Sequence, residues 1–484
     1  MTIKKSINIQ NGLDLKIFSD EELEILHQGT LRILENTGIM VDDEEALSLF
    51  ANAGAVIEKN NVVKIPGYLV EDSIKSAPAS IYLAGRGDKG FTLGDGDIRF
   101  CSFGEAPQIV DPYSKEVRSV TKADEENYAK LVDSLEEHDM CWDAWVASDV
   151  PASTYTLHSL DAYFNNTVKP VCIATPDGIL AKATVEMATA VAGNKENLQK
   201  NPLMIAGTCP KSPLHLDNGI CQSIIILAKA GVPNMNMSAL TTGGTGPVTL
   251  SGTIMVHNAE MLACVVLSQL AKKGSPIIYG SCTSGLDLRK ATATYGCPEL
   301  GMFSAAFSKL SQYYKIPHVV AGFWTDSKVS DMQSGHEKTL SGILPALAGA
   351  DMIFGTGCLA AGMIGSFGQL VADNEMIAML RHVKKGISVE DVEADLAVIE
   401  KVGPQGNYLS EEHTMKNMRT CLAQPVLLDR NNYNDWVSSG SKTYIENAQE
   451  KAVTLLENHS VPSLSDDVKN TIAKIIAETE LLLK

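Results

Sequence analysis

Eight short apolar runs between residues 99 and 354 constrain the fold of this chain more than any other feature of its sequence. Segments of roughly 25 to 45 residues separate these runs, and most of the segments show helical periodicity. Eight strand–helix units are typical of a (β/α)8 TIM barrel, which takes about 250 residues. A doubly wound open sheet is the alternative, and the count of eight favours the barrel. The predicted strands are residues 99–103, 140–147, 170–174, 203–207, 233–238, 276–280, 317–322 and 351–354.

The segments before and after the eight runs show a different pattern of apolar and polar residues. Residues 1–98 read as an N-terminal α+β region in which Ser19 and Glu22 form a capping box at the start of the first helix. The barrel occupies residues 99–385, and residues 386–484 read as a polar helical region. In that last region the periodicity predicts helices at about 388–402, 410–418, 432–458 and 465–483.

Composition excludes several classes of function. The chain of 484 residues has a formal net charge of -18 and no basic stripe, so nucleic acid is not an expected partner. Its polar N-terminus has no apolar core of signal length, and no uninterrupted apolar stretch of about 18 residues predicts a membrane span. None of the ten cysteines forms a C-x-x-C pair, which indicates free thiols in a reducing compartment. These features predict a cytoplasmic protein.

A loop rich in glycine and threonine follows the fifth predicted strand. Its centre is Gly243-Gly244-Thr245-Gly246, and a long apolar segment of helical character follows. The loop is neither a Walker loop nor a dinucleotide fingerprint, because it lacks both the Lys-Ser/Thr pair and the G-x-G-x-x-G spacing. Two interpretations remain open, a ligand-facing βα loop and a purely structural turn.

Aromatic residues are concentrated where the predicted strands end. Aromatic faces attract quaternary ammonium groups, and each contact contributes roughly 0.5–2 kcal/mol. Packing inside the barrel is the alternative role for the same side chains. The aromatic candidates for substrate binding are Phe103, Trp142, Phe323, Trp324 and Phe354.

Titratable side chains are scarce at the strand ends. Arg289 could hold a substrate carboxylate, and an ion pair with Asp287 or Glu299 is the alternative. His336 is a further candidate for lining the site. No G-x-S-x-G elbow is present, so no catalytic residue is assigned. Zinc ligands would come from Cys209, His215, Cys221, Cys282 and Cys297, whose spacing matches no standard pattern, and no metal is therefore predicted.

Several stretches together resemble the trimethylamine methyltransferase family, and the resemblance covers most of the chain. Each stretch alone is weakly specific, whereas the set is specific. The stretches are Phe103-Gly104-Glu105-Ala106-Pro107, Gly243-Gly244-Thr245-Gly246-Pro247, His257-Asn258-Ala259-Glu260, Gly296-Cys297-Pro298-Glu299, Thr325-Asp326-Ser327-Lys328 and Asp429-Arg430.

The resemblance implies a TIM barrel that methylates the Co(I) corrinoid of a separate, small corrinoid protein. Namesake members of the family carry pyrrolysine, which this chain lacks. The chain therefore resembles the non-pyrrolysine branch, whose members demethylate quaternary amines such as glycine betaine, proline betaine, carnitine and γ-butyrobetaine. We place the position that replaces pyrrolysine within residues 323–337.

The scarcity of titratable groups fits this chemistry. A quaternary ammonium already carries a neutral tertiary amine as its leaving group, so displacement by Co(I) needs no general acid. The protein has to hold the cation, exclude water and orient one methyl group. The predicted function is methyl transfer from a betaine-like quaternary amine to a partner's corrinoid, which this chain does not bind covalently. The glycines of residues 243–246 would face that corrinoid.

Two alternatives remain open. One is a quaternary-ammonium-binding protein without catalysis, and the other is a zinc-dependent corrinoid methyltransferase that acts on a thiol or alcohol. The sequence leaves undecided which amine is used and whether the chain forms a homo-oligomer.

Overall fold

A computed structural model describes residues 13–484, and its centre is an eight-stranded parallel sheet that closes into a barrel. The strands follow one another around the barrel in chain order, and a parallel bridge between Cys101 and Met140 joins the first strand to the second. All eight predicted runs are confirmed as these strands. They are β6 (Arg99–Ser102), β9 (Cys141–Trp142), β10 (Val171–Ala174), β11 (Met204–Thr208), β13 (Asn234–Ser238), β15 (Ile277–Ser281), β18 (His318–Ala321) and β19 (Met352–Thr356).

The barrel strands are buried on both faces, and their side chains alternate between two cores. Met235 and Met237 of β13 pack inside the barrel, and Ile278 of β15 joins them there. Ile277 and Tyr279 point outward into the core beneath the helices. This two-residue period explains why each run is apolar throughout, as expected for parallel strands covered on both sides.

Helices cover the outside of the barrel. The longest, residues 250–271, is long and apolar enough to cross a membrane by length and composition, but 72% of its most apolar window is buried within the fold. It packs against the helices of the N-terminal region, so we describe it as a core helix. The barrel helices are α4 (Lys122–Ser134), α5 (Tyr155–Asn166), α6 (Gly178–Ala192), α7 (Lys195–Lys200), α8 (Asn218–Ala230), α9 (Leu250–Ala271), α10 (Pro298–Tyr314), α11 (Met332–Leu347) and α12 (Phe367–Lys385).

The N-terminal region is attached to the barrel through a shared sheet. The predicted capping box at Ser19 and Glu22 is present. Met40 pairs with His215 of a short strand in the loop after β11, which ties this region to that loop. Residues 1–12, part of the N-terminus in which no signal is predicted, lie outside the described residues. The elements are α1 (Asp20–Arg32), α2 (Glu44–Asn52), α3 (Gly67–Ser76), β1 (Ile39–Val41), β2 (Val56–Ile57), β3 (Val62–Lys64), β4 (Ile81–Leu83) and β5 (Phe91–Leu93).

Short strands in the βα loops build two small sheets at the carboxyl end of the barrel. One joins loops that follow the first and last barrel strands, and the other joins the glycine–threonine loop to a hairpin after β15. The loop strands are β7 (Gln108–Val110), β8 (Val117–Ser119), β12 (His215–Leu216), β14 (Thr241–Thr242), β16 (Ser284–Asp287), β17 (Thr292–Thr294), β20 (Cys358–Leu359) and β21 (Ile364–Ser366).

The C-terminal region consists of five helices with very different burial. The first three bury no residue, whereas the last two pack Ala448, Ala452 and Ile472 into the barrel's outer core. The single helix predicted at 432–458 is wrong, because the chain turns at Gly440 (φ +105°) and a capping box at Thr443 starts a new helix. The helices are α13 (Val392–Val402), α14 (Glu412–Cys421), α15 (Tyr433–Ser438), α16 (Tyr444–Asn458) and α17 (Asp466–Leu482). The division at residues 98 and 385 stays our proposal.

Candidate functional site

A cavity of about 360 Å³ opens at the carboxyl ends of the first five barrel strands. Ligand sites of TIM barrels lie at this end of the strands. Phe103 and Trp142 form part of its wall, and Met235 and Met237 of β13 line it from across the barrel interior. Asp143 and Glu105 supply carboxyl groups. The cavity therefore combines apolar surface with a few polar groups, as small-molecule sites usually do.

The turn after the first barrel strand presents two of these residues to the cavity. At Gly104 a Cβ atom would lie 2.7 Å from the carbonyl oxygen of Ala144, so only glycine fits there. Glu105 follows with a φ of +56°, a conformation that side chains other than glycine rarely adopt. The Ala106 amide donates to the Ala144 carbonyl, and the Val146 amide donates to the Ala106 carbonyl, each at 3.0 Å, and these two bonds hold the turn. Strain of this kind often marks functional sites.

Four of the five predicted aromatic residues form one cluster. The ring of Phe103 lies 5.4 Å from Trp142, 5.1 Å from Trp324 and 4.8 Å from Phe354, measured between centroids. Trp142 stacks on Phe354 at 4.7 Å. Phe103 and Trp142 line the cavity, while Trp324 and Phe354 support Phe103 from behind. The indole of Trp324 fits because Gly355 and Gly362 leave room for it.

Asp143 is the most unusual group in the cavity wall, and the sequence analysis did not select it. Its residue is 2% exposed. Tyr163 Oη donates to Asp143 Oδ1 at 3.4 Å, whereas Oδ2 accepts no hydrogen bond from any residue within 13–484. Burial, together with the nearby Glu105 carboxyl, raises the pKa of Asp143 to about 8. The feature of the sequence that could have identified Asp143 is an acidic residue between Trp142 and Ala144, at the otherwise apolar end of a strand.

Two further carboxyl groups surround Asp143. Glu105 reaches solvent through the cavity mouth, but protein encloses it on its other sides and desolvation raises its pKa. Glu125 lies behind the cavity, where burial and the neighbouring Asp143 raise its pKa to about 8. Glu125 Oε1 accepts hydrogen bonds from the Ala147 amide at 3.2 Å and Ser159 Oγ at 3.1 Å. The site therefore concentrates negative charge whenever these acids ionise.

A fully buried ion pair supports the opposite side of the mouth. Lys338 Nζ lies 2.9 Å from Asp373 Oδ2 and donates to the carbonyl oxygen of Phe323 at 2.6 Å, and both charged side chains are 0% exposed. Asp373 also accepts from the Gly357 amide at 2.8 Å and from Gln369 Nε2 at 2.7 Å. The bonds to the Phe323 carbonyl and from the Gly357 amide hold the loops after β18 and β19, next to the aromatic cluster.

Three predicted binding residues lie away from the cavity. Phe323 adopts a φ of +58° and packs outward against Phe100, at 5.9 Å between ring centroids. The Arg289 side chain is 88% exposed and pairs with Asp287 at 3.0 Å, which was one of the two roles that the sequence left open. His336 lies exposed on α11.

The glycine–threonine loop is held by its own hydrogen bonds. The Thr241 amide donates to Thr245 Oγ1 at 2.9 Å, and the hydroxyls of Thr242 and Thr253 lie 2.6 Å apart. Gly243 turns the chain with a φ of +87°, and Gly244 is exposed at the rim of the barrel. The threonine hydroxyls of this loop are engaged internally, while its glycine backbone remains accessible.

The structure brings no metal ligands together within the part of the chain that it describes: no three Cys, His, Asp or Glu side chains there are grouped to hold an ion. All ten cysteine thiols are free.

Comparison with known proteins finds a family whose members this chain resembles along nearly its whole length. The family model described as "Trimethylamine methyltransferase (MTTB)" matches residues 2–481. The chain is 42% identical over 471 residues to trimethylamine methyltransferase MttB of Desulfitobacterium hafniense (strain DSM 10664 / DCB-2), covering 97% of this chain and 95% of that protein. It is 30% identical over 465 residues to glycine betaine methyltransferase of Desulfitobacterium hafniense (strain Y51), covering 96% of each.

Among solved structures, the monomethylamine methyltransferase MtmB of Methanosarcina barkeri is similar. The superposition has a TM-score of 0.52 at 12% sequence identity and covers 94% of this chain and 91% of that one. At this identity the likeness concerns the fold alone, and it agrees with the closed parallel barrel.

Proposed function

The chain belongs to the trimethylamine methyltransferase family, in its non-pyrrolysine branch, and on that premise we propose that it transfers a methyl group from a quaternary amine to the Co(I) corrinoid of a separate partner protein. The tertiary amine is the second product. One observation carries the proposal: the buried Asp143 carboxyl, whose Oδ2 has no partner within residues 13–484, lines the same cavity as the aromatic residues Phe103 and Trp142.

These groups are suited to bind an ammonium ion that cannot donate hydrogen bonds. A quaternary nitrogen has no N–H, so binding relies on charge attraction and on contact between its methyl groups and aromatic faces. Asp143 is the counter-charge, and the ring of Phe103 or Trp142 covers the methyl groups. Binding the cation also compensates the carboxylate for the solvation that it lost on burial.

The residues that line the cavity also hold the substrate in position for displacement of its amine by the cobalt nucleophile. Exclusion of water strengthens the attraction between the cation and Asp143, and a fixed pose directs one methyl group towards the barrel mouth. The leaving amine departs neutral, so no proton has to move. This explains why the cavity works without a paired acid and base.

The corrinoid fits this arrangement only as a group presented from outside. A cavity of about 360 Å³ accommodates a small amine and is too small for a corrin macrocycle. When bound over the mouth, the partner's corrinoid supplies the cobalt nucleophile. On this chain the exposed Gly244, together with the exposed Val248 and Leu288 that lie beside Gly243, offers an open rim for that approach.

Methyl transfer to free Co(I) cobalamin tests the proposal. Purified protein is mixed with reduced cobalamin and single amines, and methylcobalamin is followed by absorbance. We expect transfer from at least one quaternary amine and a much weaker rate with the Asp143→Asn protein. The panel includes trimethylamine, since a relative at 42% identity bears that name.

Three results would overturn the proposal. Transfer from trimethylamine alone would show that the substrate is a tertiary amine and not a quaternary one. Binding of amines without transfer, to either free cobalamin or a corrinoid protein, would favour the binding protein without catalysis. Transfer from a thiol or alcohol by protein that contains one zinc per chain would favour the zinc-dependent alternative.

A further inference from the structure

The charges that line the cavity are unevenly distributed. Three carboxyl groups, those of Glu105, Asp143 and Asp217, and one ammonium group, that of Lys211, belong to the wall. Lys211 is already engaged, because its Nζ lies 2.6 Å from Asp217 Oδ2. When this pair is set aside, Glu105 and Asp143 remain, and the lining contains no arginine or histidine.

Asp143 points to the charge of the ligand. It is buried, one of its oxygens has no partner among the described residues, and it lies in the cavity wall. A cation is attracted to this oxygen when the carboxyl group is ionised. In the same ionised state, a carboxylate placed in the cavity meets like charge from Asp143 and Glu105, and repulsion between close carboxylates is strong where water is excluded.

The residue that could have received a substrate carboxylate is elsewhere. Arg289 projects into solvent from the hairpin of β16 and β17 and makes a bidentate contact with Asp287, its Nε at 3.2 Å and its Nη2 at 3.0 Å. The Nε and Nη2 edge of its guanidinium is therefore occupied by Asp287, and its exposed side chain is not part of the cavity lining.

Neutral polar groups complete the wall. The hydroxyl-bearing side chains of Tyr155 and Thr208 line the cavity, and a hydroxyl can donate to or accept from an uncharged polar arm. We propose that the substrate is a quaternary ammonium cation whose fourth arm is uncharged, such as the hydroxyethyl arm of choline, and not a betaine. This inference rests on the proposed function and specifies its substrate class.

Choline and glycine betaine are a matched pair for the test, because both carry a trimethylammonium head and differ in a hydroxyl or carboxylate on a short arm. Their kcat/KM values for methylation of Co(I) cobalamin are compared, with tetramethylammonium as a cation without a polar arm. We expect choline to exceed glycine betaine by about 10- to 100-fold, the effect of one like-charge contact in a partly desolvated site. Equal values, or a higher value for glycine betaine, would overturn the inference.

Variants show whether the carboxyl groups cause the preference. Glu105→Gln and Asp143→Asn should each lower the ratio of choline to betaine activity towards one. Arg289→Ala is the matched control and should leave the ratio unchanged. A selective loss of glycine betaine activity in Arg289→Ala would show that this arginine holds a substrate carboxylate, which contradicts the inference.

Direct binding separates failure of the inference from failure of the proposed function. Calorimetry measures the affinity of choline, glycine betaine and tetramethylammonium without any turnover. Tight choline binding without methyl transfer would contradict the proposed reaction but support the proposed ligand class. Transfer from glycine betaine in preference to choline would support the reaction but contradict the ligand class. Absence of binding by all three compounds would contradict both.

Discussion

Asp143 and Asp373 are both buried carboxyl groups near the carboxyl end of the barrel, and their surroundings differ sharply. Asp373 pairs with Lys338 and accepts two further hydrogen bonds from Gly357 and Gln369. Asp143 accepts a long bond from Tyr163, lies near the Ala174 backbone amide and has an oxygen without a partner among the described residues. Within residues 13–484 the fold satisfies the charge of Asp373 fully and that of Asp143 only in part, and on the proposed function a ligand cation completes the second.

The difference distinguishes a structural role, which we assign to Asp373, from a ligand-binding role, which we propose for Asp143. A buried charge with complete partners fixes the loops that contact it, and here those loops carry Phe323 and Gly357. A buried charge without partners destabilises the empty protein, since each missing bond costs about 1–3 kcal/mol or more for a charged group. Such a group is retained where a ligand repays the loss.

Removing one half of the satisfied pair should have the largest effect. Lys338→Met leaves Asp373 charged and buried without its partner, and we expect the free energy of unfolding to fall by about 3–5 kcal/mol. Urea denaturation followed by circular dichroism measures this change. Lys328→Met, at an exposed lysine, is the control. If Lys338→Met lost less than about 1 kcal/mol, the pair would not be the support described here.

Removing the unsatisfied charge should weaken binding and strengthen the fold. Asp143→Asn should reduce the affinity for tetramethylammonium by about 10- to 100-fold, because the attraction between two unit charges about 4 Å apart is roughly 1–4 kcal/mol in a partly desolvated site. The free energy of unfolding at pH 9 should rise by about 1–3 kcal/mol, because no buried anion remains. Calorimetry and urea denaturation measure the two effects. An Asn variant less stable than the parent at pH 9 would contradict the comparison.

Asp143 should also make the stability of the fold depend on pH. The pKa of Asp143 is raised to about 8, so the folded state keeps a proton that the unfolded chain releases near pH 4. The free energy of unfolding therefore falls as pH rises from about 4 to about 8. Glu125, with its pKa also raised to about 8, acts in the same direction.

Cation binding should follow the opposite trend. Affinity for tetramethylammonium should rise up to about tenfold per pH unit between pH 6 and 8 and then level off, because the bound cation requires the ionised carboxylate. Glu105, Glu125, Tyr155 and Tyr163 face Asp143 and shape the profile. Calorimetry at several pH values measures it, and a profile that Asp143→Asn leaves unchanged would assign the titration to another group.

An ion pair without burial should give the smallest effect. Arg289 pairs with Asp287 on an exposed hairpin, and exposed pairs are screened by solvent and contribute little to stability. Arg289→Ala should leave the free energy of unfolding, measured by urea denaturation, almost unchanged. A loss of unfolding free energy as large as that of Lys338→Met would show that this ion pair stabilises the fold although it is exposed.

The hydrophobic pattern determined much of the barrel. Each of the eight runs is a strand because parallel strands buried on both faces are apolar along their whole length, and that property is local. The clustering of Phe103, Trp142, Trp324 and Phe354 also followed from topology, since parallel strands bring their carboxyl ends to one edge.

Phe323 shows where the local pattern failed. Val319 and Ala321 point into the barrel, so strict alternation would send Phe323 inward as well. The left-handed conformation at Phe323 reverses the order, so that Phe323 packs outward and Trp324 packs inward. A backbone reversal at a residue other than glycine depends on the surrounding structure, here the Lys338 bond to its carbonyl oxygen.

The sequence by itself thus determined the eight strands, the edge where their ends meet and the family, because these depend on periodicity and on motifs that are contiguous in the chain. Only the tertiary structure decided which charges are satisfied. Asp143 stands alone in an apolar run, whereas Asp373 is followed by Asn374 and Glu375, and neither context reveals the partners. Asp373 pairs with Lys338, while Asp143 accepts a long bond from Tyr163 and its Oδ2 has no partner among the described residues. Long-range pairing has no local signal, so the feature that carries the proposed function becomes visible only in the folded molecule.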